Sequence, residues 1–271
     1  MRPPTQVDHS STALQPSQQC SSASLLVLIV SSYHSQHHWE ALRRWALGTG
    51  GSSQVRILAA NPNMREPYIL SNETLLVNSS DQYDALPVKM ASAFNSVLHA
   101  SALSHVTHVL KVDDTDIMSG DWNNLTVSAL QDGLAGLEGD QFTNYCSLTL
   151  AACTPQWPCE FRWAAQHITD TRSAWFNRSF YVNRSIAFAN GGGGYILSRR
   201  ALRKITAQWP WARMDELYLT QVLEDFFVGS TLLDAGAPLA PLVPLSHTAT
   251  MRLCCAPYAA ACAGSIVGSR S

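Results

Sequence analysis

Charge is what this chain has least of. Of its 271 residues, 38 are charged, 18 Lys or Arg and 20 Asp or Glu, or 14% of the chain where soluble domains average roughly 25%. Hydrophobic content is ordinary at 46%, so the shortfall is filled by Ser, Thr, Gly and Ala rather than by a larger apolar core. No sign dominates either. A net charge of −2 excludes disorder through self-repulsion, and it provides no basic face for a phosphate backbone, so nucleic acid is not an expected partner. Long apolar runs are also missing. The longest run of large apolar side chains, Leu25 to Val30, falls far short of the roughly 18 residues a spanning helix needs, and no membrane span is expected in this chain. Residues 1–22 are polar, rich in Pro, Ser and Gln, and lack an apolar signal core; they read as a flexible leader with no readable signal or anchor. The seven cysteines, Cys20, Cys146, Cys153, Cys159, Cys254, Cys255 and Cys262, show none of the paired spacing of a zinc site. Their odd number leaves at least one thiol unpaired. The others are either buried thiols or disulfides of an oxidising compartment.

What the chain has in quantity is uncharged polarity. Five N-x-Ser/Thr sequons occur, at Asn72, Asn78, Asn124, Asn177 and Asn183. With 11 Asn and 47 Ser plus Thr, chance supplies about two, so the excess hints at a glycosylated, luminal or secreted protein.

Hydrophobic patterning alternates between strand and helix. Leu25 to Val30, bounded by serines, reads as a strand buried on both faces. Trp39, Leu42, Trp45 and Ala46 follow at helical spacing after Ser35, stopped by Gly48, Gly50 and Gly51, and Val55 to Ala60 reads as the next strand. After an irregular stretch from Asn61 to Asp84, Pro87 opens a helix carrying Met90, Phe94, Val97 and Leu98 on one face. His105 to Val112 reads as another buried strand, Trp122 to Leu134 as a helix, and Phe142 to Leu150 as a strand. Thr154 to Asn183 is aromatic without a clean period and reads as an acceptor-side loop region or as simple packing. Ile186 to Ala189 and Tyr195 to Leu197 read as strands, with helices from Ser198 to Ala207 and from about Glu224 to Leu233. Strands alternating with helices predict an α/β fold, a mixed but mainly parallel sheet flanked by helices. Residues 23–255 form a single domain in this reading, and 256–271 a peripheral tail.

Four groups of residues carry potential chemistry. Asp113, Asp114 and Asp116 follow a buried strand, at the strand end where open α/β sheets bind ligands. If the chain there stays extended, Asp114 and Asp116 share a side and two carboxylates face one divalent cation. The run Gly191 to Gly194 permits close approach of a ligand to the backbone, or serves as a flexible connector; it is not a Walker A or dinucleotide fingerprint. Glu224 and Asp225 begin a helix, where the dipole keeps a carboxylate ionised, and an ionised carboxylate meeting a hydroxyl can act as general base. His247 follows the apolar run Pro238 to Leu245, which would return it toward the core.

In order and spacing, the segments SLLVLIVSS, LPVKMASAFNSVL, HVLKVDDTDI, FANGGGGYILSRRALRKI, LEDFFVG and LSHTATMRL resemble the Fringe and β-1,3-galactosyltransferase/N-acetylglucosaminyltransferase family, inverting GT-A enzymes of glycosyltransferase family 31. The resemblance runs from about Ser24 to about Leu253, and the Fringe branch looks closest. It implies a GT-A nucleotide-sugar fold and a Golgi or other secretory-lumen setting. It implies a UDP-sugar donor, a glycan or glycoprotein acceptor and a divalent metal such as Mn²⁺. By the resemblance, Asp225 is the catalytic base. Asp113 and Asp114 belong to the acidic motif that binds nucleotide-sugar and metal, and His247 is the late metal ligand. Gly192 and Gly193 line the donor sugar, while Ser31, Ser32 and Lys89 lie near the nucleotide. The family has three consecutive acids where this chain has Thr115 third and Asp116 fourth, so the metal falls to Asp114 or Asp116 with His247. The rival readings are a catalytically inactive, lectin-like relative, favoured by Thr115, and a metal-dependent hydrolase.

Overall fold

The six apolar residues Leu25–Val30 form β1, at the centre of an eight-stranded sheet. A computed structural model describes residues 23–50, 54–119, 127–134, 139–143, 148–152, 154–161, 167–189, 194–237 and 239–241. Strand β1 is followed by α1 (Gln36–Gly48), β2 (Val55–Ala60), the short strands β3 (Tyr68–Leu70) and β4 (Thr74–Val77), and α2 (Leu86–His99). Next come β5 (His108–Asp113), α3 (Asp114–Ser119), α4 (Val127–Leu134), β6 (Gln141–Thr143), β7 (Leu148–Ala152), β8 (Cys159–Phe161), β9 (Phe180–Val182) and β10 (Ser185–Ala189). The described part closes with β11 (Tyr195–Ser198), α5 (Arg199–Gln208), α6 (Met214–Thr220), α7 (Glu224–Asp234) and β12 (Leu239–Pro241). The sheet order is β12-β6-β11-β5-β1-β2-β4-β3; β11 and β3 run against the other strands. The expected α/β architecture with a mixed, mainly parallel sheet is therefore present.

Every residue of β1 is buried because the sheet is covered on both faces. Leu26, Leu28 and Val30 point into one core with Met90 and Phe94 of α2, Leu202 and Ile205 of α5 and Phe227 of α7. Leu25, Val27 and Ile29 point into the other with Trp39 and Leu42 of α1 and Leu130 of α4. The strand's period of two thus feeds two helix layers, which is why its sequence shows no polar alternation.

Several elements differ from the sequence reading. The stretch Asn61 to Asp84 holds β3 and β4, too short to show a period. Strand β5 starts later than expected and ends on Asp113 itself. The single strand expected from Phe142 to Leu150 is two, β6 in the main sheet and β7 paired with β10. The expected helix from Trp122 is described only over Val127–Leu134. Helix α6 was not anticipated. The aromatic stretch after Thr154 divides: Phe180, Phe161, Trp175 and Phe176 pack with Phe188 and Phe226 in a third core, while Trp157 and Tyr181 are exposed. The leader 1–22 and the tail 256–271 lie outside the described residues.

Helix α7 is held hard against the β7/β10 pair through Gly229. A Cβ on Gly229 would lie 2.3 Å from Phe188 Cβ and 3.2 Å from its Cα, so Gly229→Ala must push the helix off the strand. We expect a loss of about 1–3 kcal/mol, read as a lowered midpoint in urea unfolding. Gly48→Ala, where a Cβ meets nothing within 4 Å, should leave the midpoint unchanged or raise it. Equal losses at the two positions would show that close approach is not the cause.

Candidate active site

Strand order reverses beside β1: the chain runs outward through β2 and β4, then returns to place β5 on the other side of β1. Such a switch point opens a crevice at the strands' carboxyl ends. The parallel register pairs Val30 with Asp113, so Ser31 and Asp114, the next residues on each strand, meet there. Ser31 Oγ donates to Asp114 Oδ2 at 2.7 Å and accepts from Trp39 Nε1 at 3.2 Å. Ser32 Oγ accepts from the backbone N–H of His34 at 3.1 Å, capping the turn into α1.

Lys89 stands behind this loop. It is 4% exposed and donates to the Ser31 carbonyl and, at 2.6 Å, to Asp81 Oδ1. Burial pulls its ammonium below the ordinary lysine value, and Asp81 offsets this only in part. Asp81 also accepts from the backbone N–H groups of Tyr33 and Ala60. Lys89 is therefore a clamp on the Ser31 loop, committed inside the protein.

The acids after β5 do not continue extended. Asp114 begins α3, so the expectation that Asp114 and Asp116 share a side is corrected: residues two apart on a helix diverge and do not face each other. The helix forms at once because Asp114 and Asp116 sit in its first turn, where acids suit the dipole. Among the described residues no three His, Cys, Asp or Glu side chains converge as a metal-binding group. His247, Gly192 and Gly193 lie outside the described residues. Asp114 at the crevice offers the hard oxygen a divalent cation takes, and it fits that role without Asp116.

Helix α7 brings Glu224 and Asp225 to the same crevice. Lys111, wholly enclosed in β5, lies 2.8 Å from Asp113 Oδ1 and 3.5 Å from Glu224 Oε2. Tyr195 of β11, also fully buried, donates its hydroxyl to Glu224 Oε1. Burial alone would depress the Lys111 ammonium, but Asp113 and Glu224 reverse this and hold it above its ordinary value. Burial pushes Glu224 up to about 7; Asp225 and Asp113 add to the rise, against Lys111 and the Tyr195 hydrogen bond. One ammonium stands among three carboxylates, so Lys111 stays charged and Glu224, the most deeply buried of the three, takes up a proton most readily. The expectation that the helix start keeps its acids ionised is thus corrected for Glu224, where burial outweighs the dipole. Asp225 is only half-buried, with Oδ1 accepting from the Phe226 N–H at 2.7 Å. Tyr83, ahead of α2, is raised by burial and then by the fields of Asp225, Glu224 and Asp113.

Sequence reasoning brought Ser31, Asp113, Asp114 and Asp225 to one place and missed what links them: Lys111, Tyr195, Tyr83 and Asp81. Only Lys111 left a signal, as a lone charge inside an apolar strand. The sequence matches no protein-family model and no curated protein sequence.

Proposed function

We propose that this chain is an inverting glycosyltransferase with a GT-A-type fold, moving a hexose or N-acetylhexosamine from a UDP-sugar to a hydroxyl of a glycan or glycoprotein, most simply in β-1,3 linkage. The observation that carries the reading is the buried Lys111 bridge, which ties Asp113 at the sheet's carboxyl edge to Glu224 beside Asp225. Acids suited to a nucleotide-sugar and a half-exposed carboxylate suited to a base then border one crevice. The resemblance to the Fringe branch supplies the reaction class.

In this reading the acceptor hydroxyl attacks the anomeric carbon opposite UDP, the carbon–oxygen bond to UDP breaks, and Asp225 takes the hydroxyl proton. Glu224 and Lys111 do not touch the sugar; they hold the start of α7 against β5. Asp114, with His247, would hold the divalent cation, and Ser31 orients the Asp114 carboxylate. A bound Mn²⁺ supplies charge compensation for the departing diphosphate. The setting is a Golgi or other secretory lumen.

The test is UDP release from a panel of UDP-sugars, with and without Mn²⁺ and with glycan acceptors. Acceptor-dependent release with one donor is expected. Release to water alone favours a hydrolase. Glycan binding without turnover favours the lectin-like reading, which the divergence of Asp114 and Asp116 on α3 recommends as the alternative.

A further inference from the structure

Away from the crevice, β9, the turn after it and the outer faces of α5 and α7 enclose a cleft of about 260 Å³. Its floor is aromatic, with Trp209 and Phe226 buried and Tyr181 59% exposed. Its polar lining comes from the amides of Asn183, Gln208 and Gln221, the hydroxyls of Thr220, Ser230 and Thr231, and the charged Arg184 and Asp234. Gln221 Oε1 is buried and has no hydrogen-bond partner among the described residues. An unsatisfied buried acceptor calls for a donor from outside. Aromatic faces beside amides and hydroxyls, with the Arg184–Asp234 pair at one side, suit a hydroxyl- and acetamido-bearing ring.

Asn183 also opens a sequon with Arg184 and Ser185. It is exposed and directly follows Tyr181 and Val182 of β9, whose burial alternates exposed, buried, exposed across the three positions. With a period of two, Asn183 and Tyr181 lie on the same face. Both flanks are held: Tyr181 Oη donates to Glu160 Oε1 at 3.2 Å, and Arg184 pairs with Asp234.

We propose that Asn183 is an N-glycan attachment site whose first N-acetylglucosamine sits in this cleft, its ring against Tyr181 and its acetamido N–H toward Gln221. The Asn183 Nδ2–C1 bond forms as the C1–O bond to a polyprenyl-diphosphate oligosaccharide breaks; the lipid diphosphate leaves, and one amide proton passes to a base of the transferring enzyme. The sugar then covers Tyr181 and satisfies Gln221. This shares the luminal setting of the transferase reading but not its catalysis, and occupancy is read without activity, so the two fail separately.

The full chain, secreted from a eukaryotic host behind a cleavable signal peptide, is analysed by glycopeptide mass spectrometry and thermal unfolding. Asn183 is expected to be occupied. Asn183→Gln and Ser185→Ala should each lower Tm by about 2–4 °C, and Tyr181→Ala should lower it similarly in the glycosylated chain but not in the Asn183→Gln background. An unoccupied Asn183 overturns the proposal, as does a Tyr181→Ala effect of equal size in both backgrounds. Binding of free diacetylchitobiose to a chain with Asn183 unoccupied would identify a site for saccharides from solution and would also overturn it.

Discussion

Asp225→Asn is expected to lower acceptor-dependent UDP release by about 10²–10⁴-fold, the usual contribution of a positioned general base, while UDP affinity and Tm stay nearly unchanged. The amide keeps the size of the side chain and can still accept from the Phe226 N–H, so this contact at the start of α7 is retained. What is lost is the capacity to take a proton. Asp225 is suited to this because it is half-buried, whereas Glu224 beside it is enclosed and already engaged by Lys111 and Tyr195. Calorimetric titration of UDP alongside the release assay separates the possibilities. If affinity and Tm fall together with the rate, Asp225 holds the helix rather than takes the proton.

Lys111→Met should have the largest effect on stability. It removes the one ammonium between Asp113 and Glu224 and leaves buried carboxylates uncompensated, a loss of about 3–5 kcal/mol when one member of a buried pair is deleted. Lys111→Met with Glu224→Gln should recover part of that loss, because the second change removes a charge that no longer has a partner. The pH dependence follows from the two shifts. Glu224 lies at about 7 in the folded chain against an ordinary 4.5, so the folded state binds more protons between these values and its stability falls as pH rises through that window. Glu224→Gln should flatten the fall. Lys111 lies above its ordinary 10.5; its contribution is full below that value and is lost only as pH rises through the higher folded-state value. Urea midpoints from pH 4 to pH 8 check this, and a wild-type midpoint that rises across that range would contradict the raised Glu224.

The legible parts of the fold were those written in local pattern. Leu25 to Val30 reads as a doubly buried strand because six consecutive large apolar residues have no other use in a chain this polar. Pro87 marks the start of α2 and Ser198 the cap of α5, whose Oγ accepts from the Ala201 N–H, because both act through groups within one helical turn. Strands β3 and β4 were not legible, since three or four residues show no period. The aromatic residues after Thr154 were ambiguous for a different reason: their packing joins Phe180 to Phe226, far apart in the chain, and no window of sequence contains such a contact.

The candidate site divides the same way. Asp113 and Asp114 stand out in the sequence because acids end a buried strand, and Asp225 because it begins a helix. Whether Asp114 and Asp116 could share a cation depended on the path of the chain after β5, and the immediate turn into α3 separates them. The sequence by itself determined the order of strands and helices, the positions of the acids and the scarcity of other charge, because these depend on residue type and near neighbours. Only the tertiary structure decided that β5 lies beside β1, that Lys111 spans from Asp113 to Glu224, and that Glu224 gives up its ordinary acidity. Burial and the field of distant charges exist only once the strands have been brought together, and those two terms raise Glu224 above its ordinary carboxylate range.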